Sequence, residues 1–305
     1  MKIGIIGTGN VGKACAIATI IRRCCNELVL VDKNQQLAEA VAIDMQDGAM
    51  LSQYMTISAG QFADLRDAAL IIITAGINEK EGGATDRNDP KGRLILFHTN
   101  AQIYSEIIPL IVKAAPKAVL LVVSDPPDLL SDVARQYAGH DRVLSTGTYL
   151  DTLRFRHHLA LLLQINPLHI AANVIGEHGN SSVFLWSTVH VSGKPLSELL
   201  SEDVAAIKKY VEEDVRYADI TMIEGNNFSQ FGIGMVCAHL AQMILRDEHS
   251  VVTVGSYHPE YDVSFSLPSV IGKNGVERVL MPIMSEEEHA ALRYGSEFIK
   301  KALQF

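Results

Sequence analysis

The sequence predicts an α/β protein, a doubly wound parallel sheet in its first half followed by an α+β unit in its second. Three observations carry that expectation. Short, nearly continuous Ile, Leu and Val runs alternate with helical patterns through the first half, as buried parallel strands and their covering helices do. The first run feeds a glycine-rich turn that opens an Ala-rich helix. Near residues 145–150 the texture changes to long amphipathic helices and alternating strands.

Strands are expected at residues 2–6, 28–31, 70–73 and 119–123. The stretch from Asn78 to Lys91 is the longest polar interruption and holds Gly82-Gly83 and Asp89-Pro90. A charged, glycine-bearing loop of that size in a compact domain is more often a lid than filler. Helical patterns follow over residues 201–223 and 231–246, around a break at Gly225-Asn226-Asn227. Residues 251–257 and 261–267 alternate as antiparallel strands, and Lys273-Asn274-Gly275 supplies a hairpin turn. Ser285 and Glu288 form a capping box for the last helix. The expected division is residues 1–146 and 147–305.

Bulk properties bound the partners. A 305-residue chain with 48% apolar and 20% charged residues is an ordinary globular protein with a sizeable core. The net charge of -9 argues against nucleic-acid and anionic-membrane partners, which need a basic footprint. It leaves room for a phosphate-bearing cofactor, since a helix N-terminus binds phosphate locally. The chain opens directly as a strand, without a signal-peptide layout, and no apolar run approaches bilayer-spanning length. Cys15, Cys24, Cys25 and Cys237 lack the spacing of a zinc site or disulfide scaffold. A reducing cytoplasm and no metal are expected.

Gly7-Thr8-Gly9-Asn10-Val11-Gly12 matches G-x-G-x-x-G in the strand–turn–helix setting that gives the pattern meaning. Gly7 permits the tight turn, Gly9 lets a pyrophosphate approach the backbone, and Gly12 allows close helix–strand packing, as in a Rossmann-type fold. Asp32 ends the second strand, where a carboxylate accepts the ribose hydroxyls and repels a 2′-phosphate. NAD is therefore expected over NADP. Thr74-Ala75-Gly76, after the third strand, brings a second backbone close to the cofactor. The bland alternative is a glycine-rich turn with a strand-ending Asp, which leaves the common register of these elements unexplained.

A second constellation lies downstream. Asp151 and Arg154 share a helical face, and His178 follows the apolar run 170–175. Read alone, the first two are an internal salt bridge and the third a satisfied structural histidine. Read together, they offer a carboxylate, a guanidinium and a proton donor.

These residues resemble a known family, the L-2-hydroxyacid dehydrogenases of the lactate and malate dehydrogenase superfamily. The resemblance covers essentially the whole chain. It rests on G-T-G-N-V-G at 7–12, I-T-A-G at 73–76, G-T-Y-L-D-T-L-R-F-R at 147–156, V-I-G-E-H-G-N-S at 174–181 and W-S-T-V at 186–189. The G-E-H-G-N-S variant and the long D-P-K-G-R loop look most like the L-2-hydroxyisocaproate dehydrogenases, which act on branched 2-oxo acids. The resemblance implies that His178 exchanges a proton with the substrate oxygen and that Asp151 orients it. Arg154 would clamp the substrate carboxylate. Arg93, preferred over Arg87 because its downstream register matches, would swing in with the loop and polarise the carbonyl. It also implies an NAD-binding domain over 1–146, a catalytic domain over 147–305, and a homodimer or homotetramer.

Several residues depart from the family pattern. Asp125, in Ser124-Asp125-Pro126-Pro127-Asp128, stands where relatives usually carry an Asn that contacts substrate and cofactor. In order of preference it is protonated in the closed site, turns away, or marks altered or weak chemistry. Glu79 falls near the position that reads the substrate side chain, and an acid there argues against oxaloacetate. Ser229 is expected near the end of that pocket. Ala171 replaces a His that helps bind sugar bisphosphate in allosteric relatives, so no such activation is expected. The expected substrate is an aliphatic 2-oxo acid, lactate-sized or branched. The alternatives are a malate dehydrogenase, a dinucleotide-binding protein with little turnover, and, more remotely, an NAD-dependent glycosidase on the same fold.

Overall fold

The computed structural model describes residues 1–52, 54–89, 91–200 and 204–304. Strands β1 (Lys2–Ile6), β2 (Glu27–Val31), β3 (Thr56–Ala59), β4 (Ala68–Ile73), β5 (Val119–Val122) and β6 (Val143–Ser145) pair in parallel. Their spatial order is β3-β2-β1-β4-β5-β6. The order reverses at β1, and such a switch leaves a crevice past the carboxyl ends of β1 and β4. The short β3 and β6 were not anticipated from the sequence.

The strands read as unbroken apolar runs because helices cover both faces. Ile3, Ile5, Leu28, Leu30, Leu70 and Ile72 pack with α1 (Asn10–Arg22) and α2 (Gln35–Ala49). The alternate residues Val29, Val31, Ile71, Ile73, Leu120 and Val122 face the other way. There, beyond the one-turn helix α3 (Glu79–Gly82), they meet α4 (Phe97–Ala114) and α5 (Pro127–Ala138). Each fully buried Ile or Leu contributes roughly 1.5–3 kcal/mol.

After β6 come α6 (Tyr149–Leu163) and the short strands β7 (Ile170–Ala171), β8 (Val174–Ile175), β9 (Val183–Phe184), β10 (His190–Val191) and β11 (Lys194–Pro195). The helix expected over 201–223 is two helices, α7 (Val204–Arg216) and α8 (Ala218–Asn226), while residues 201–203 lie outside the described residues. Tertiary contacts fix the break at Tyr217. Arg216 Nη2 donates to the Ser182 carbonyl at 3.2 Å, and Asp219, just past the break, turns toward Arg93. The break expected at 225–227 is the end of α8, where Asn227 takes a left-handed φ of 64°.

The next helix, α9 (Phe231–Arg246), runs as expected. Strands β12 (Ser250–His258) and β13 (Val263–Gly272) form an antiparallel pair. The second starts later and runs longer than 261–267 because Tyr261 and Asp262 turn back onto the His258 carbonyl. Lys273 and Asn274 make the hairpin to β14 (Gly275–Val279). Ser285 and Glu288 cap α10 (Glu286–Leu303) reciprocally. Gly255 of β12 pairs with Ser145 of β6, so all these strands form one nine-stranded sheet, β14-β13-β12-β6-β5-β4-β1-β2-β3.

All four cysteines are buried, and burial pushes the Cys24 thiol up to about 11. Among the described residues, no helix is long and apolar enough to cross a membrane.

Candidate active site

Backbone shapes the crevice at the β1/β4 switch. Gly7 has a φ of +96°, and a Cβ there would stand 2.9 Å from the Ala75 nitrogen. A Cβ on Gly12 would stand 2.0 Å from the Gly7 carbonyl oxygen. Gly9 between them faces open space, with no heavy atom within 4 Å of its would-be Cβ. The turn therefore leaves room beside the N-terminus of α1, where a pyrophosphate is favoured. Thr74 Oγ1 donates to the Gly7 carbonyl at 2.9 Å and locks the two loops together.

Asp32 stands at the end of β2. One of its oxygens accepts from the Thr8 N–H at 2.6 Å and the other from the Asn34 N–H at 2.9 Å. A carboxylate so held suits ribose hydroxyls and opposes a 2′-phosphate. These residues fit NAD. Val11 lines the inner cavity, whereas Asn10 faces an outer one between α1, α2 and α9.

A cavity of about 120 Å³ runs from Val11, Thr74 and Gly76 to Arg154 and His178. Glu79, Arg93, Asp125, Asp219 and Ser229 complete its polar wall. Arg87 lies elsewhere, forked onto Glu224 and Thr221 of α8. The structure thus brings together every side chain expected around the substrate, and it separates the two candidate loop arginines.

His178 is held from two sides. Its Nδ1 lies 2.5 Å from Asp151 Oδ2, and its backbone N–H donates to Asp128 Oδ2 at 2.8 Å. Asp128 also accepts from Ser145 Oγ at 2.8 Å, and burial pushes its carboxyl up to about 7. Glu177 folds back to accept from the Ser181 hydroxyl at 2.5 Å, which turns the 176–181 loop. Arg154 Nη1 donates to Asp151 Oδ1 at 3.0 Å. The plain reading of that pair, an internal salt bridge, is therefore real, yet Arg154 also borders the cavity.

The electrostatics follow from these contacts. Burial pushes the Asp151 carboxyl up, but the His178 imidazole and the Arg154 and Arg93 guanidiniums outweigh it and hold it at about 2. Burial pushes the His178 imidazole down, and the Asp151 carboxylate more than reverses this, leaving it above its ordinary value. An imidazolium is thereby favoured.

Glu79 is pushed up to about 8, chiefly by burial and then by the Asp125 carboxylate within hydrogen-bonding reach. Two like charges in contact repel by about 4 kcal/mol at an effective dielectric of 20. The Asp125 carboxylate thus adds to burial in favouring a proton on Glu79. Asp125 does not turn away from the site, since it lines the cavity and Arg93 Nε is 3.5 Å from its Oδ1.

Three positions escaped the sequence reading. Asp219 pairs with Arg93 at 2.5 Å, and Asp128 fixes the backbone of His178. The buried Asn100 accepts from the Ile77 N–H at 2.8 Å and donates to the Asp125 carbonyl at 2.7 Å. The only signal for Asp128 was its place in the 124–128 string; Asp219 and Asn100 gave none.

A doubly wound sheet with this glycine turn, facing a paired histidine and carboxylate, defines a class: the dinucleotide-dependent dehydrogenases. The chain belongs to the lactate/malate dehydrogenase family, the NAD-dependent L-2-hydroxyacid dehydrogenases. Residues 1–145 match the family's NAD-binding domain and residues 148–304 its alpha/beta C-terminal domain. The chain is 38% identical to the L-lactate dehydrogenase of Deinococcus radiodurans over 98% of its own length and 97% of the relative's. It is also 38% identical to that of Thermus aquaticus, over 99% and 98%. Among solved structures it is similar to a minor L-lactate dehydrogenase from Enterococcus mundtii in a ligands-bound form. The TM-score there is 0.90 at 32% identity, covering 99% of this chain and 97% of that one.

Proposed function

We propose that the protein interconverts a small 2-oxo acid and its L-2-hydroxy acid, with His178 as proton donor and acceptor. The observation that carries this reading is the 2.5 Å contact between His178 and Asp151 inside a cavity that Arg154 and Arg93 also line. Residues 1–146 would hold NAD through Gly7, Gly9, Gly12, Asp32 and the 74–76 backbone, and residues 147–305 would supply His178, Asp151 and Arg154. When bound, NAD accepts or returns the hydride at nicotinamide C4.

The chain's own residues do the rest. The raised His178 keeps a proton ready for the oxygen of the 2-oxo group. Asp151 fixes the ring and stabilises its charged form. Arg154 holds the substrate carboxylate in a geometry lysine cannot match. Arg93 meets the negative charge that develops on the carbonyl oxygen, and the lid over the cavity excludes water. The expected substrate is an aliphatic 2-oxo acid, lactate-sized or branched. The acids on the cavity wall disfavour a second substrate carboxylate, as in oxaloacetate.

The test is NADH oxidation with a panel of small 2-oxo acids. His178→Gln is expected to lower kcat/KM by about 10²- to 10⁴-fold while leaving NADH binding intact. If NADH binds but no 2-oxo acid turns over, the rival reading of a dinucleotide-binding protein with little turnover takes its place. That rival draws on Arg93 being tied to two carboxylates.

A homodimer or homotetramer is part of the same proposal. Exposed Ile17, Ile21, Leu51, Phe231 and Met235 cluster on α1, the end of α2 and α9, and a patch of this kind favours association. Light scattering should give two or four times the 33.3 kDa of the chain; a monomeric mass would refute it.

A further inference from the structure

The cavity holds more acid than the hydride-transfer reading uses. Asp151 serves His178, which leaves Glu79, Asp125 and Asp219 on the wall. Arg93 answers them only in part, with Nη2 2.5 Å from Asp219 Oδ2 and Nε 3.5 Å from Asp125 Oδ1. The second oxygen of Asp219, Oδ1, is buried and has no hydrogen-bond partner among the described residues. Asp219 as a whole is 6% exposed. A buried carboxylate oxygen without a donor is costly, and in a folded protein each such atom calls for an explanation. Asp219 itself lines the cavity that the substrate enters.

We propose that the substrate side chain carries a hydroxyl group received by Asp219 and Glu79, so that this enzyme favours a hydroxylated 2-oxo acid over an aliphatic one of equal size. The proposal rests on the 2-hydroxyacid dehydrogenase reading above and narrows its aliphatic range. A methyl group against the same wall leaves Asp219 Oδ1 unpaired and desolvates Glu79 with nothing in return. A second carboxylate would face three acids. A hydroxyl supplies one donor, adds no charge and occupies the volume of a methyl. Asp219 and Glu79 are then specificity-determining residues, and Arg93 keeps the remaining acid charge in balance.

The test compares 3-hydroxypyruvate with 2-oxobutyrate, which differ by a hydroxyl in place of a methyl, in NADH oxidation by the full chain. Wild type is expected to show a kcat/KM ratio of about ten or more in favour of 3-hydroxypyruvate. A 3-hydroxyl also makes the carbonyl more electrophilic, so the ratio is repeated in Glu79→Leu and Asp219→Leu, where it should fall toward one. Loss of a partner for Arg93 would lower both substrates together and leave the ratio unmoved. A high ratio that persists in both variants overturns the assignment. A wild-type ratio of one or less, with 2-oxobutyrate turning over well above background, overturns the substrate inference and leaves the dehydrogenase reading standing. If neither compound nor pyruvate supports NADH oxidation, the dehydrogenase reading fails and the inference goes with it.

Discussion

His178 and Asp151 each stabilise the charged form of the other, and this couples turnover to pH. Reduction needs the imidazolium. Because the folded value of His178 lies above its ordinary 6.5, kcat/KM for reduction should hold through neutral pH and fall only as pH rises through that raised value. Oxidation should show the reverse. The same contact contributes to stability. The His178 share is fully present below 6.5 and is lost as pH rises through its folded value. The Asp151 share is present above 3.8 and is lost as pH falls through about 2. Both describe one interaction, so its full benefit lies between about pH 4 and 6.5. Asp151→Asn should move the reduction profile to lower pH and cost about 10²-fold or more in kcat/KM. A pH–rate profile unchanged in that variant would show that Asp151 acts only as scaffolding.

The lid and the turn that follows it are tied to α8 and its C-cap. Lys80 donates to Asn227 Oδ1 at 2.7 Å, Arg87 forks onto Glu224, and Arg93 reaches Asp219. These ties are unequal. The Arg87 pair is well exposed, where ion pairs contribute little, while Arg93 is 11% exposed beside the reacting groups. Arg93→Ala should lower kcat/KM by about 10²- to 10³-fold, and Arg87→Ala by no more than about threefold. Steady-state kinetics that reverse this order would make Arg87 the loop arginine. The lid also marks where sequence reading runs out. Strands such as Ala68–Ile73 were legible because burial on both faces demands unbroken apolar runs. Val143–Ser145 was too short to give a pattern. Asp219 was hidden because a polar residue on an amphipathic helix reads as solvated, and only the break at Tyr217 turns it inward. Glu79 and Asp125 were conspicuous as acids, but the raised value of Glu79 depends on its burial beside Asp125, which no local pattern displays.

At the scale of the whole molecule, the two halves share a sheet and a core. Gly255 of β12 pairs with Ser145 of β6, and Val236, Leu240 and Ile244 of α9 pack into the same cluster as Ile3, Ile5 and Ile20. More than a hundred residues separate Ser145 from Ser250. During synthesis, then, the first half emerges with β6 as a bare edge and one face of its sheet half-covered, both apolar and both templates for wrong pairing. Residues 1–146 made alone should therefore form aggregates or mixed oligomers, and a monomeric, NADH-binding fragment would show that the edge is tolerated. If the expectation holds, the antiparallel strands at the far side serve as the nascent chain's protective seal, and the interval before residues 231–272 leave the ribosome is when this protein most needs a chaperone.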